Sequence, residues 1–258
     1  MERFTIDHDG VTIAVSRGGR GQPLVLCPGL SSTQADLDEL STLLRRDHDV
    51  VTFDFRGHGL ASAADDYTFE AFFSDLSAVL ARVDLPAPPV LVGYSLGADL
   101  AVRYAAEHPG SVDRLVLVDG ANPIPEPFLT EADLPAFRAM WTVMAAANEP
   151  RRGTKRQVLL TGPEILALNV EIDEYRARIL GLYQEIDRPI DLIMATSMAG
   201  DGDDELVVRA NRNWRAGVER LTRARPDVSV SWLAADHLLV FSHAREIARL
   251  VASPAPTA

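Results

Sequence analysis

The chain has a single cysteine, Cys27, so it can form no intramolecular disulfide, and such usage points to a reducing compartment. It also has a single lysine, Lys155; its other basic residues are arginines, a bias to which no function attaches. A basic excess is missing: the formal net charge is −12. That argues against a nucleic-acid partner, whose phosphates need a basic surface, and against binding to an anionic membrane. No apolar run approaches the ~20 residues of a membrane span. The opening "MERFTIDHDG" has no basic segment followed by an apolar run, so a signal peptide is not expected and a cytoplasmic location is. There is no glycine-rich phosphate loop, no His/Cys/Asp cluster at metal-ligand spacing and no internal repeat. Hence neither a metal nor a cofactor is expected.

What is present is ordinary globular material: 258 residues, 47% hydrophobic and 24% charged, enough for one large core. Two early strands are expected at Arg3–Ile6 and Val11–Ser16, joined by an "HDG" turn. "PLVLCPG" reads as a strand stopped by Pro28 and Gly29, followed by helical spacing over Gln34–Arg45. Asp49–Phe55 reads as a buried strand, Tyr67–Val83 as a helix, "PPVLVGY" as a strand and Leu96–His108 as a helix. "VDRLVLVD" is a further strand ending at Asp119. Apolar strands alternating with helices predict a parallel sheet covered on both faces.

The rhythm breaks at Gly120. From Asn122 to about Arg188 the chain is expected to be mostly helical, over Glu131–Asn148, Pro163–Leu168 and Asp173–Glu185. Strands then return at "PIDLIMA" and "VSVSWLA", with helices over Asp204–Arg223 and His243–Val251 and a frayed tail "ASPAPTA". The helical block is therefore an insertion within one core. The expected division is 1–120 and 189–258 for the core and 121–188 for a helical cap.

The segment "LVGYSLGADL" places Ser95 between Gly93 and Gly97 where a strand passes into a helix. Glycines suit a turn too tight for side chains on either side, and the bend projects the serine from the sheet end. A serine hydroxyl is not ionised near neutral pH and needs a base to act as a nucleophile. Of six histidines, His237 follows the last strand and meets Ser95 at the same sheet edge. His8, His48, His108 and His243 read as surface or satisfied residues.

With these features the chain resembles the α/β-hydrolase family. The resemblance covers nearly the whole chain: the eight-strand rhythm, "GYSLG", the insertion after the sixth strand and the histidine in "ADHLLVF". It implies a doubly wound, mostly parallel sheet with a helical cap. "DFRGHG", Asp54–Gly59, is similar to a segment common after the family's fourth strand and is read as a structural corner with an Arg56 pair. The resemblance implies an oxyanion hole from the N–H groups of Leu96 and Leu30. Pro28 stands where the family often has a histidine, so any side-chain organisation of that loop is lost, with Ser31 or Ser32 as replacements. Cys27 reads as a buried small residue.

The acid that orients His237 has two candidates. The family usually supplies it in a Gly-x-x-Asp pattern after the seventh strand. "ATSMAGDGDDE" does not keep that pattern, and Asp201 stands nearest the place, ahead of Asp203 and Asp204. Asp119, ending the sixth strand, is the alternative and is favoured. The cap carries Phe128, Phe137, Met140, Trp141, Met144, Tyr175 and Tyr183, read as candidate walls of an apolar acyl pocket, against cap packing as the plainer role.

The expected function is a serine hydrolase cleaving an ester, thioester or lactone of a small to medium apolar substrate. The expected partner is that acyl substrate alone, with the chain a monomer or homodimer. The same residues would also serve C–C hydrolysis or perhydrolysis. A non-hydrolytic lyase or cyclase using His237 as base, or a weakly catalytic ligand-binding protein, are further alternatives. Epoxide hydrolases and haloalkane dehalogenases are opposed by Ser95, since they use an aspartate nucleophile.

Overall fold

The computed structural model describes residues 1–253. The tail expected to fray falls on residues 254–258, outside the described part. The strands are β1 (Glu2–His8), β2 (Val11–Gly19), β3 (Gln22–Cys27), β4 (His48–Phe53), β5 (Val90–Tyr94), β6 (Arg114–Val118), β7 (Ile190–Ala195) and β8 (Ser229–Leu233). They form one eight-stranded sheet in the order β1-β2-β4-β3-β5-β6-β7-β8. β1 and β2 are antiparallel additions at one edge, and the remaining strands run parallel. The order reverses beside β3, so chain ends on both sides of β5 converge above its carboxyl end.

Alternate residues of each central strand enter different cores. Leu24, Leu26, Val90, Val92, Val116 and Val118 pack on one side; Val25, Cys27, Leu91, Leu115 and Leu117 pack on the other. The first side is covered by α1 (Asp38–Leu44) and by α7 (Leu239–Ser242) and α8 (Ala244–Ala252). The second is covered by α2 (Phe69–Arg82), α3 (Leu96–Glu107) and α6 (Glu205–Ala224). Burial on both faces explains why these strands read as continuous apolar runs.

Between β6 and β7 lie α4 (Leu134–Asn148), a 3-10 turn (Glu149–Arg151) and α5 (Gly162–Gln184). Sequence spacing divided α5 into two pieces; it is one helix. It starts with a capping box: the Thr161 hydroxyl accepts from the Glu164 N–H, and Glu164 reaches back to the Thr161 N–H. Ile165, Leu168, Ile172, Tyr175, Ile179 and Tyr183 then form one buried stripe along its whole length. Asn169 and Val170 are poor helix formers, but with no Pro or Gly between them and Tyr175 the stripe outweighs local propensity.

Helix α1 likewise starts later than spacing suggests. Residues 33–36 are held as a turn, with Thr33 N–H donating to Asp36 and Gln34 N–H donating to Asp54. The last predicted helix begins earlier and is broken in two at His243. No helix among the described residues is long and apolar enough to cross a membrane.

Candidate active site

Ser95 sits between β5 and α3 with φ +52° and ψ −120°. This backbone is rarely adopted by a residue with a side chain and costs about 1–3 kcal/mol. Close packing imposes it. A Cβ on Gly93 would lie 2.4 Å from the Gly97 carbonyl oxygen, and one on Gly97 would lie 2.4 Å from the Cys27 carbonyl oxygen. No side chain fits at either position, so the two glycines flanking Ser95 are required by space.

The Ser95 hydroxyl lies 2.9 Å from His237 Nε2, and His237 Nδ1 lies 2.7 Å from Asp119 Oδ2. These partners assign the tautomer: Nδ1–H donates to the carboxylate, and Nε2 accepts from the serine. Asp119 is fully buried, with φ +44° just past β6. Its other oxygen, Oδ1, accepts from the Ala195 N–H at 3.0 Å and from Trp214 Nε1–H at 2.9 Å. A buried carboxylate is tolerable because every face that the ring of donors reaches is bonded.

The backbone of each residue is tied to the neighbouring strand or loop. Ser95 N–H donates to the Val118 carbonyl, Asp119 N–H to Ile193 and His237 N–H to Met198. Tyr94 closes the arrangement from below, its hydroxyl donating to the His237 carbonyl at 2.8 Å and its ring lying 5.3 Å from the imidazole. The His237 side chain remains 33% exposed, so a reactant can approach from above.

Leu96 is the first residue of α3, where helix N–H groups have no intrahelical acceptor. Leu30 lies in the loop after β3. That loop touches Ser95: a Cβ on Gly29 would come within 3.1 Å of the Ser95 Cβ. The loop after β3 and the first turn of α3 therefore both border the serine.

Asp201 is not part of this chain of hydrogen bonds; it is exposed in the loop before α6. Just before Asp201 the loop is pinned to α6. Ala199 N–H donates to Asn211, and Asn211 donates back to the Gly200 carbonyl. What the end of β7 supplies to the site is a backbone N–H, from Ala195, in place of a carboxylate.

The cap residues divide. Phe137 and Trp141 are buried and stacked at 5.1 Å, with Phe128 5.9 Å from Phe137. Tyr183 is fully buried and donates to the Ala121 carbonyl, so it fastens the cap to the end of β6 and is not a pocket wall. Tyr175 stacks on Phe69 at 4.5 Å between α5 and α2. Met140 and Met144 are 44% and 42% exposed. They lie on α4 beside the buried Phe137 and Trp141 and outside the packed stripe.

Two contributors escaped the sequence. Trp214 on α6 carries no motif; its only signal is that a buried indole N–H needs an acceptor. The second is a buried ion pair beneath the serine, where Arg176 of α5 makes two hydrogen bonds to Asp99 of α3, at 2.9 and 2.6 Å. Arg176 also lies 5.2 Å from the Trp214 ring. The expected Arg56 partner is Asp75, bonded at 2.7 and 3.0 Å.

Residues 24–250 match the alpha/beta hydrolase family, and the chain belongs to it. Relatives of the chain include named hydrolases. It is 36% identical to N-formylmaleamate deformylase of Pseudomonas putida, over 40% of this chain and 38% of that protein. It is 26% identical to 2-(acetamidomethylene)succinate hydrolase of Mesorhizobium japonicum, over 90% and 87% of the two chains. Several curated relatives are matched over less than half of their own length, 38% to 47%. A bromoperoxidase structure from Bacillus anthracis superposes with TM-score 0.76 at 18% identity, covering 97% of this chain and 98% of that one, a likeness of fold.

Proposed function

We propose that the protein is a serine hydrolase that cleaves an ester, thioester or lactone through an acyl-enzyme. One observation carries this reading: the unbroken relay from Ser95 through His237 to Asp119, with contacts of 2.9 and 2.7 Å. Ser95 Oγ attacks the acyl carbon while His237 Nε2 takes its proton. Buried Asp119 holds the ring in the tautomer that leaves Nε2 free and stabilises the imidazolium that forms. The negative charge on the carbonyl oxygen is met by the Leu96 and Leu30 N–H groups, each such donor being worth roughly a hundredfold or more in rate. The imidazolium then protonates the departing alcohol or thiol. Water, deprotonated by His237, releases the acid and restores Ser95.

A second reading is hydrolysis of an acyl C–N bond by the same residues. It is favoured by two relatives, one named a deformylase and one named for an acetamido compound. The two readings differ only in the group that His237 protonates.

The test combines stoichiometric labelling with a fluorophosphonate, located by mass spectrometry, with turnover of p-nitrophenyl esters of graded acyl length and of N-formyl and N-acetyl analogues. Labelling confined to Ser95, with ester turnover above amide turnover, is the expected result. A folded protein that is not labelled refutes the nucleophile; amide turnover exceeding ester turnover favours the second reading.

A further inference from the structure

The loop after β3 lacks the family's usual histidine, since Pro28 stands there, yet it holds a strained backbone. Ser31 has φ +63°, and its turn is closed by Ser32 N–H donating to the Gly29 carbonyl at 3.1 Å. A residue with a side chain keeps such a φ only when its surroundings over-determine it. The holding contact comes from another part of the chain. Ser31 N–H donates to His58 Nε2 at 3.2 Å, while His58 Nδ1–H donates to the Arg56 carbonyl at 2.8 Å.

His58 stands on a corner braced from several sides. Arg56 is clamped to Asp75 through its guanidinium and its own N–H. Gly59 N–H donates to the Gln157 carbonyl and Leu159 N–H to the Gly57 carbonyl, so a segment of the cap runs along the corner as a short ladder. Phe72 meets the imidazole edge to face at 5.9 Å. The ring is fully buried, and burial lowers its pKa to about 4 against the weaker pull of the Arg56 carbonyl. It therefore stays neutral throughout the range in which a hydrolase of this kind works, and Nε2 stays an acceptor. Protonation would set two N–H groups against each other at Ser31.

In this turn the Ser31 N–H is taken by His58 and the Ser32 N–H by the Gly29 carbonyl, whereas the Leu30 N–H, one residue earlier, has no hydrogen-bond partner among the described residues. We infer that His58 is a positioning residue for the oxyanion donor: by gripping Ser31 it sets the Leu30 N–H beside Ser95, in place of the histidine that the loop itself lacks. The inference rests on the acyl-transfer reading above, because an oxyanion donor matters only if an oxyanion forms.

Three proteins separate the possibilities: wild type, His58→Leu and His58→Gln. Gln can present Oε1 where Nε2 stands, whereas Leu fills the space without an acceptor. For a short p-nitrophenyl ester, His58→Leu is expected to lower kcat about tenfold to a hundredfold with KM held within about threefold. Inhibition by a trifluoromethyl ketone, whose adduct places an oxyanion in the same spot, should weaken by the same factor. The acid limb of the pH profile should not move, since His237 and Asp119 are untouched. His58→Gln should recover most of the loss. A folded His58→Leu with unchanged kcat, or one whose only defect is a lower Tm, overturns the inference.

If His58→Leu does not fold, His58→Gln is compared with His58→Asn, which is too short to reach Ser31; equal kcat in these two overturns it as well. Labelling of wild-type Ser95 separates the two failures. An unlabelled wild type removes the hydrolase reading and this inference with it. A labelled wild type with an indifferent His58→Leu removes the inference alone.

Discussion

At the carboxyl end of the sheet, Ser95, Asp119 and His237 are placed by main chain. Each donates its own N–H to a carbonyl of the next strand or loop: Val118, Ile193 and Met198. The inserted segment between β6 and β7 is held largely by side chains. Arg176 grips Asp99, Tyr183 reaches the Ala121 carbonyl, and the Asp173 carboxylate accepts from the Phe128 and Leu129 N–H groups. Among the described residues, only the ladder at residues 157–159 ties the inserted segment to the core through backbone. Main-chain bonds survive any substitution that keeps the fold, whereas a side-chain clip is removed by one mutation. The sheet end should therefore show large losses of chemistry with little loss of stability. The cap should show the opposite.

The largest effect belongs to Ser95→Ala. Essentially all ester turnover should vanish, with Tm within about 2 °C of wild type, because the hydroxyl packs little and the strained turn is unchanged. Activity retained above a few per cent would mean that the nucleophile lies elsewhere.

Next is Asp119→Asn, expected to cost on the order of a hundredfold or more in kcat, since the amide cannot stabilise the imidazolium. Asp201→Asn, in the exposed loop, should change kcat by less than about twofold. The reverse ranking in steady-state kinetics would break the assignment while leaving Ser95 and His237 in place.

Trp214→Phe keeps a smaller aromatic ring in place but removes one donor from Asp119. About a tenfold fall in kcat at near-constant KM is expected, with the protein still folded by circular dichroism. A parallel rise in KM of the same size would show that Trp214 acts on substrate and not on the carboxylate.

Trp141→Ala sharpens the other half of the comparison. Deleting a buried indole stacked on Phe137 should destabilise by about 3–5 kcal/mol, read from urea unfolding. Turnover of the smallest ester should fall by no more than about threefold. An unchanged unfolding midpoint together with altered acyl-length preference would instead make Trp141 a pocket wall.

Much of the frame was legible because its signals are local. Val90–Val92 and Leu115–Val118 are unbroken apolar runs, as strands buried on both faces must be. Gly93 and Gly97 mark the only geometry that leaves room for the Ser95 bend. Where the reading erred, the deciding contact was distant in sequence. Helix α5 reads as two pieces with a gap over residues 169–172, because the stripe that carries it through depends on what packs against it.

The sequence by itself determined the alternation of strands and helices, the position of the inserted helices, and the serine and histidine brought to one edge of the sheet. Those follow from hydrophobic period, turn residues and strand ends, all of which act over a few neighbouring residues. Only the tertiary structure decided which carboxylate meets His237, that Trp214 donates to it and that His58 grips Ser31. Both aspartates follow strands and lie near glycine, and the missing Gly-x-x-Asp pattern around Asp201 favours Asp119 without placing it beside His237. What separates them is whether buried donors more than seventy residues away, the Ala195 N–H and the Trp214 indole, converge on the carboxylate, and they converge on Asp119.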